Sequence, residues 1–169
     1  MIVFEELIKR LSPLGKVIVI PGNHDYFFGI DKLKSIVEKS ECVWLEKSYV
    51  LTSIKNVSIQ IDGNFQSNNL KGAVNILCVH NPSQFKTIDT NYDVAFAGHL
   101  HGGQIVLWKH DDLLYPGAFF YQWNGLRFIK NGVPIYISKG LGDTIPIRYN
   151  CAREIIELNI SGKYSKNKT

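Results

Sequence analysis

Sulfur is scarce in this chain. It has one methionine and three cysteines, Cys42, Cys78 and Cys151, with no Cys-x-x-Cys among them. An odd, widely spaced set excludes a disulfide framework and a zinc ribbon, and it fits a reducing compartment. Cys78, inside "NILCVH", reads as a small buried hydrophobe. Also missing is any apolar run near the ~18 residues that a membrane span needs. The N-terminus has no signal-peptide pattern, so the expected chain is soluble and cytoplasmic. A basic stripe interleaved with aromatics is absent as well. The net charge of +4 comes from dispersed lysines, three of them in the closing "KYSKNKT". Residues 161–169 therefore read as a basic flexible tail, and a nucleic-acid partner is not favoured.

What remains is the composition of a globular protein, 45% hydrophobic and 20% charged, and 169 residues long, which fits one domain over residues 1–160. Phe4, Leu7, Ile8 and Leu11 fall on one helical face over 2–11, and Pro13 and Gly15 stop that helix. Residues 17–20, "VIVI", predict a strand covered on both faces. Asp31 is placed to N-cap a helix through "KLKSIVEK". Short strands are expected at 48–52 and 57–61, then a polar loop over 62–73. Buried strands follow at 74–79 and 93–97, with a helical turn after Pro82 between them. Asn131-Gly132 between "LRFI" and "VPIYIS" predicts a tight hairpin, and a last strand is expected at 153–160. The fold class is α/β with an antiparallel C-terminal portion.

Four of the five histidines lie just past the C-terminal ends of three predicted buried strands. They are His24, His80, His99 and His101, and in α/β sheets that edge is where ligands bind. His110, in "WKHDD", reads as surface. In an extended segment His99 and His101 would direct both rings to one side. Gly98, Gly102 and Gly103 around them permit close approach of the backbone to an ion or a phosphate. Neutral imidazole is a common ligand for transition ions. Each motif alone has an ordinary structural explanation. Four histidines and Asn23, all following buried strands and flanked by Gly or Pro, are hard to obtain from packing needs.

The segments "PGNHDY", "VHNP" and "AGHLHGGQ", in that order, resemble the third, fourth and fifth motifs of the calcineurin-like metallophosphoesterases. The "GHLHGGQ" form, with "YISKGLGDTIPIRYNCAREIIEL" further on, is most similar to a bacterial branch often found at the membrane. One departure is "CARE" at 151–154, where that branch commonly has a proline before the glutamate. The resemblance implies two mixed sheets in a sandwich flanked by helices, a four-layer arrangement. It also implies a dinuclear centre of Mn²⁺, Fe or Zn²⁺ that hydrolyses phosphomono- or phosphodiesters. Asn23 would ligate the second metal and contact a phosphate oxygen. His24 would be the acid at the leaving oxygen. His80 and His99 would ligate the second metal and His101 the first. Gly22, Asp25 and Gly98 complete the motifs, with Asp25 capping its own turn.

The resemblance also exposes a lack. Family members begin with Asp-x-His on one strand and Gly-Asp-x-x-Asp on the next, which supply carboxylates to both metals. Glu5 and Glu6, the acids before Gly22, stand in no such motif. The chain thus resembles the C-terminal two-thirds of such an enzyme. The expected outcome is at most one ion well held and weak or no hydrolysis, or else a non-catalytic remnant that binds one metal or a protein. The substrate would be a small phosphoester, lipid-linked or from the cell envelope. An N-terminal complementing fragment or self-association through an open sheet edge is the expected protein partner.

Overall fold

Residues 2–65 and 70–160 are described by a computed structural model of the chain. The element order is α1 (Ile2–Leu11), β1 (Ile18–Val19), α2 (Asn23–Phe28), α3 (Ile30–Lys39), β2 (Val43–Trp44), β3 (Tyr49–Ile54) and β4 (Val57–Gly63). There follow β5 (Val74–Cys78), a 3-10 stretch at Pro82–Thr87, and β6 (Val94–Ala97). The C-terminal part holds β7 (Trp108–His110), β8 (Leu113–Tyr115), β9 (Arg127–Lys130) and β10 (Val133–Ile137). The fold is α/β with a mixed main sheet, as the sequence predicts.

The main sheet has six strands in the order β3-β4-β5-β6-β10-β9. β4, β5, β6 and β10 run parallel, and β3 and β9 close the two edges antiparallel. β5, β6 and β10 are largely apolar because both their faces are covered, whereas an edge strand can leave one face to water. Leu77, Val79, Ala95, Ala97, Ile135 and Ile137 form the core with Phe85 and Ile88 from the stretch after Pro82. The tight turn at Asn131-Gly132 joins β9 to β10, with φ of 52° and 79° at its two residues. Those left-handed values are the ones an Asn-Gly hairpin turn requires.

A second, smaller sheet is the parallel pair β1-β2, and β7-β8 is a small antiparallel ribbon. α1 and α3 cover β1-β2 through Ile8 and Val37, joined by Cys42 just before β2, and Phe4, Val17, Val19 and Trp44 pack against these three. The predicted apolar face of α1 is only partly covered, because Leu7 and Leu11 remain exposed.

Several expected boundaries shift for physical reasons. The strand at 17–20 shortens to two residues, half-buried rather than fully covered, because β2 is its only strand neighbour among the described residues. Gly29, with φ 97°, ends α2 and caps α3 at once, so Asp31 lies in the first turn of α3 and is not its cap. β4 runs two residues into the expected loop, carrying Asp62 into the sheet. Residues 66–69 of that loop, and the tail at 161–169, lie outside the described residues.

The strand expected at 153–160 does not form among the described residues. Glu154 N donates to Gly140 O at 3.3 Å, but no ladder continues from there. Burial still alternates along Glu154, Ile155, Ile156, Glu157 and Leu158, and Ile155 is 81% exposed. The sequence has a strand's period without a strand's partner.

One polar contact ties the core to the sheet. The Tyr92 hydroxyl donates to Asp62 Oδ2 at 2.6 Å, and both residues are buried. Tyr92→Phe should cost about 1–3 kcal/mol by urea denaturation, since a buried bond to a charged group is lost. An unchanged midpoint would show that this contact does not support the fold.

Candidate functional site

Four parallel strands of the main sheet end on the same edge. From there, β5 delivers His80, and β6 leads through Gly98 to His99 and His101. β1 comes from the smaller sheet and delivers Gly22, Asn23 and His24 to the same place. Gly22 is where the two sheets meet: a Cβ there would fall 2.5 Å from His80 Cε1. Only glycine lets the imidazole lie so close against that backbone. Gly98 carries no such demand, because a Cβ there would meet nothing within 4 Å.

The stretch after Gly22 is helical. α2 begins at Asn23, and Asp25 Oδ2 accepts from Gly22 N at 2.7 Å. Asp25 therefore caps its own turn, in agreement with the sequence reading. Its position aims Asn23 at His80, with Asn23 Oδ1 and His80 Nε2 2.8 Å apart. The same Nε2 lies 3.0 Å from His99 Nδ1, the two rings meeting edge to face at 4.8 Å.

That geometry constrains the chemistry. A ring nitrogen carries either a proton or a lone pair, never both. His80 Nε2 can therefore share one proton between the Asn23 oxygen and the His99 nitrogen, or set its lone pair against the amide oxygen. A cation accepts all three lone pairs at once. The electrostatics agree: burial and, after it, the neighbouring His99 push the His80 pKa down to about 4. His99 is lowered by burial, then by His101 and His24. Both rings are neutral at pH 7, the form that binds metals. Cys78, two residues before His80, is pushed up to about 12 by burial, so it offers a thiol and not a thiolate ligand.

An extended segment does not set the rings of His99 and His101, contrary to expectation. Both residues have positive φ, 71° and 51°, and His101 opens a 3-10 turn, so the segment is not extended. His101 Nδ1 donates to Gly142 O at 2.8 Å, which leaves the lone pair on Nε2. Such a backbone partner is what orients a ligating histidine. His24 is exposed in the first turn of α2, its charge felt by both His80 and His99. His110 lies on the surface beside Asp111, as predicted.

Sequence reasoning missed the residues that hold the His101 loop. Gln104 is buried and binds only backbone. Its Nε2 donates to Ile145 O and Ile147 O at 2.6 and 3.0 Å, and its Oε1 accepts from Thr144 N at 2.9 Å. Arg148 donates to Asp143 Oδ1 at 2.5 Å, to Gly142 O at 2.6 Å and to Lys139 O at 2.8 Å. The Arg148 hydrogen bond and, after it, Arg153 hold the Asp143 carboxyl below its ordinary range. Cys151 sits beneath the turn, where a Gly102 side chain would strike its sulfur. The signal was the polar residue inside "GHLHGGQ" and the arginine in "IPIRYN", which pattern reading treats as context.

The carboxylates near this edge are engaged elsewhere. Asp25 caps Gly22, and Glu46 takes the Tyr26 hydroxyl and Trp44 Nε1. Among the described residues no group of three or more His, Cys, Asp or Glu is gathered to hold a metal. Asn23, His80 and His99 are the neighbouring donors that could hold an ion.

Residues 2–138 match the calcineurin-like phosphoesterases. The chain belongs to that family. An uncharacterized metallophosphoesterase of Helicobacter pylori (strain ATCC 700392 / 26695) is 29% identical over 92% of this chain and 45% of its own length. The uncharacterized metallophosphoesterase YkuE of Bacillus subtilis is 28% identical over 88% of this chain and 57% of its own. The chain thus spans about half the length of these curated relatives. Among solved structures, the Thermus thermophilus sulfate thiohydrolase SoxB in complex with glycerol aligns at TM-score 0.49 and 11% identity. That alignment covers 79% of this chain and 29% of SoxB. Members of the calcineurin-like family hydrolyse phosphoesters with divalent metals.

The seat of His80 gives a paired test. Gly22→Ala should weaken Zn²⁺ binding by about 10–100-fold in calorimetric titration, as expected when a ligand's support is disturbed. Gly98→Ala should leave it unchanged. Equal effects at the two glycines would contradict the contact.

Proposed function

We propose that this chain carries the histidine half of a metallophosphoesterase centre, holding one divalent ion and hydrolysing phosphoesters poorly by itself. The observation that carries the reading is the convergence of Asn23, His80 and His99, with the nearby Asp25 carboxylate engaged at the Gly22 amide. Two ions held side by side need negative ligands to offset their repulsion, and neutral donors supply none. His101, whose Nδ1 donates to Gly142 O, would offer Nε2 to a second ion. Mn²⁺, Fe and Zn²⁺ all suit a mixed nitrogen and oxygen site. Divalent ions, when bound, supply Lewis acidity toward phosphoryl oxygens and the attacking water.

The chain's own residues do the rest. The Asn23 amide orients a phosphate oxygen at the start of α2. His24, exposed in the first turn of α2, donates a proton to the leaving oxygen. His80 and His99 keep the ion in place because their burial disfavours the protonated form. The substrate is a small phosphoester, and the resemblance to the membrane-associated branch extends that to lipid-linked or cell-envelope esters.

Metal analysis should find at most one ion per chain, lost in His80→Ala and His99→Ala. Bis-(p-nitrophenyl) phosphate with Mn²⁺ or Zn²⁺ should be turned over far more slowly than by a full-length relative. Two tightly held ions with turnover like that relative's would overturn the reading.

A protein partner is favoured by one further observation. β1 has no strand on its free side among the described residues, and 154–160 keeps a strand's alternation unpaired. Unpaired edges capture strands. The chain should therefore self-associate in gel filtration unless a complementing N-terminal fragment is supplied. A monomer that unfolds cooperatively would contradict this.

A further inference from the structure

Beside the histidine cluster lies a second cleft of about 470 Å³, a size suited to a small-molecule group. Two of its wall residues come from the loops that carry the candidate ligands. Asn81 follows His80, and Leu100 lies between His99 and His101. Asn81 also borders the opening that contains Asn23 and His80, so the two spaces adjoin. A phosphoester seated at the histidines would direct its alcohol portion here.

One wall is aromatic: Phe119, Phe120, Tyr121 and Trp123. The first three are 67%, 79% and 61% exposed, three consecutive aromatics turned to water. A slack loop would bury them, but this one is pinned. Asn124 Nδ2 donates to Leu114 O at 2.7 Å, and Tyr121 N donates to Gly117 O at 3.0 Å. The Phe119 ring packs edge-on against Tyr115 at 4.9 Å, and Trp123 lies between Phe85 and Phe128 at 5.9 and 5.1 Å. Exposed apolar surface held in a fixed shape marks a binding site.

Besides Pro82, Leu100 and Ala118, the rest of the lining is polar: Asn81, Ser83, Lys86 and Gln122. An alkyl chain laid in the cleft would strip water from these groups and return no hydrogen bonds, which is costly. A planar ring with polar edges can stack on the exposed aromatics and satisfy the amide, hydroxyl and amine groups of the same lining. Resting on the phosphoester reading above, we propose that this cleft is the subsite for the substrate's alcohol portion, and that it selects a planar, polar-edged ring over an alkyl chain.

The test is binding to the Zn²⁺-loaded chain, followed by calorimetry and by backbone amide shifts, with no turnover required. The probes are adenosine 5′-monophosphate, ribose 5-phosphate and octyl phosphate. The nucleotide should bind about tenfold more tightly than ribose 5-phosphate, as one stacked ring allows, and should shift the amides of 119–123. Phe120→Ala and Tyr121→Ala alter exposed rings, so the fold should persist. Both should erase the nucleotide's advantage and leave ribose 5-phosphate binding unchanged.

Equal affinity for the two sugar phosphates, with shifts at Asn23, His80 and His99, would overturn the subsite and keep the phosphoesterase reading. Preference for octyl phosphate would overturn the ring assignment and point to a lipid substituent. No binding of any probe would overturn both.

Discussion

The whole site depends on an imidazole lying against bare backbone. His80 belongs to the main sheet and Gly22 to the smaller one, and the absence of a Cβ at Gly22 is what lets the two come together. From that contact Asn23 is set opposite His80 Nε2, and His99 arrives at the same nitrogen from β6. Burial at this junction also keeps His80 unprotonated, so packing and ligand chemistry share one cause. Two groups crowded onto one ring nitrogen make a poor arrangement for hydrogen bonding. They are a good arrangement around a cation.

Much of the architecture was legible in the sequence because its signals are local. Runs such as "NILCV" and "VAFA" specify strands covered on both faces, and Asn-Gly specifies its hairpin. The candidate residues after those strands were likewise legible, since the edge where parallel strands end is a property of topology. The direction of each ring was not. Whether His99 and His101 share a side depends on backbone φ, and both residues adopt left-handed values that the His-x-His spacing alone does not show. Asp31 misled for a related reason: a favourable capping residue was pre-empted by a glycine two positions earlier that ends one helix and starts the next.

The residue pattern at 153–160 teaches the opposite lesson. Alternation is a statement about faces, and it survives in the burial of Glu154 through Leu158. Strand formation is a statement about partners, and hydrogen bonds on the flanks decide it. Gln104 and Arg148 were invisible for a third reason. Their contacts span about forty residues and nine or fewer residues respectively, yet almost all end on backbone atoms, which leave no mark on the residues they touch.

That last property reaches beyond the present chain. Gly142, Thr144, Ile145 and Ile147 are gripped through their peptide groups, while the side chains of Leu141, Ile145 and Ile147 stand largely in solvent. The loop is thus a socket for His101 whose outer surface is decoupled from its inner one. Substitution can rewrite what the loop shows to its surroundings while the carbonyl behind the histidine stays where it is. Chemistry and recognition are separated here by the thickness of a single backbone.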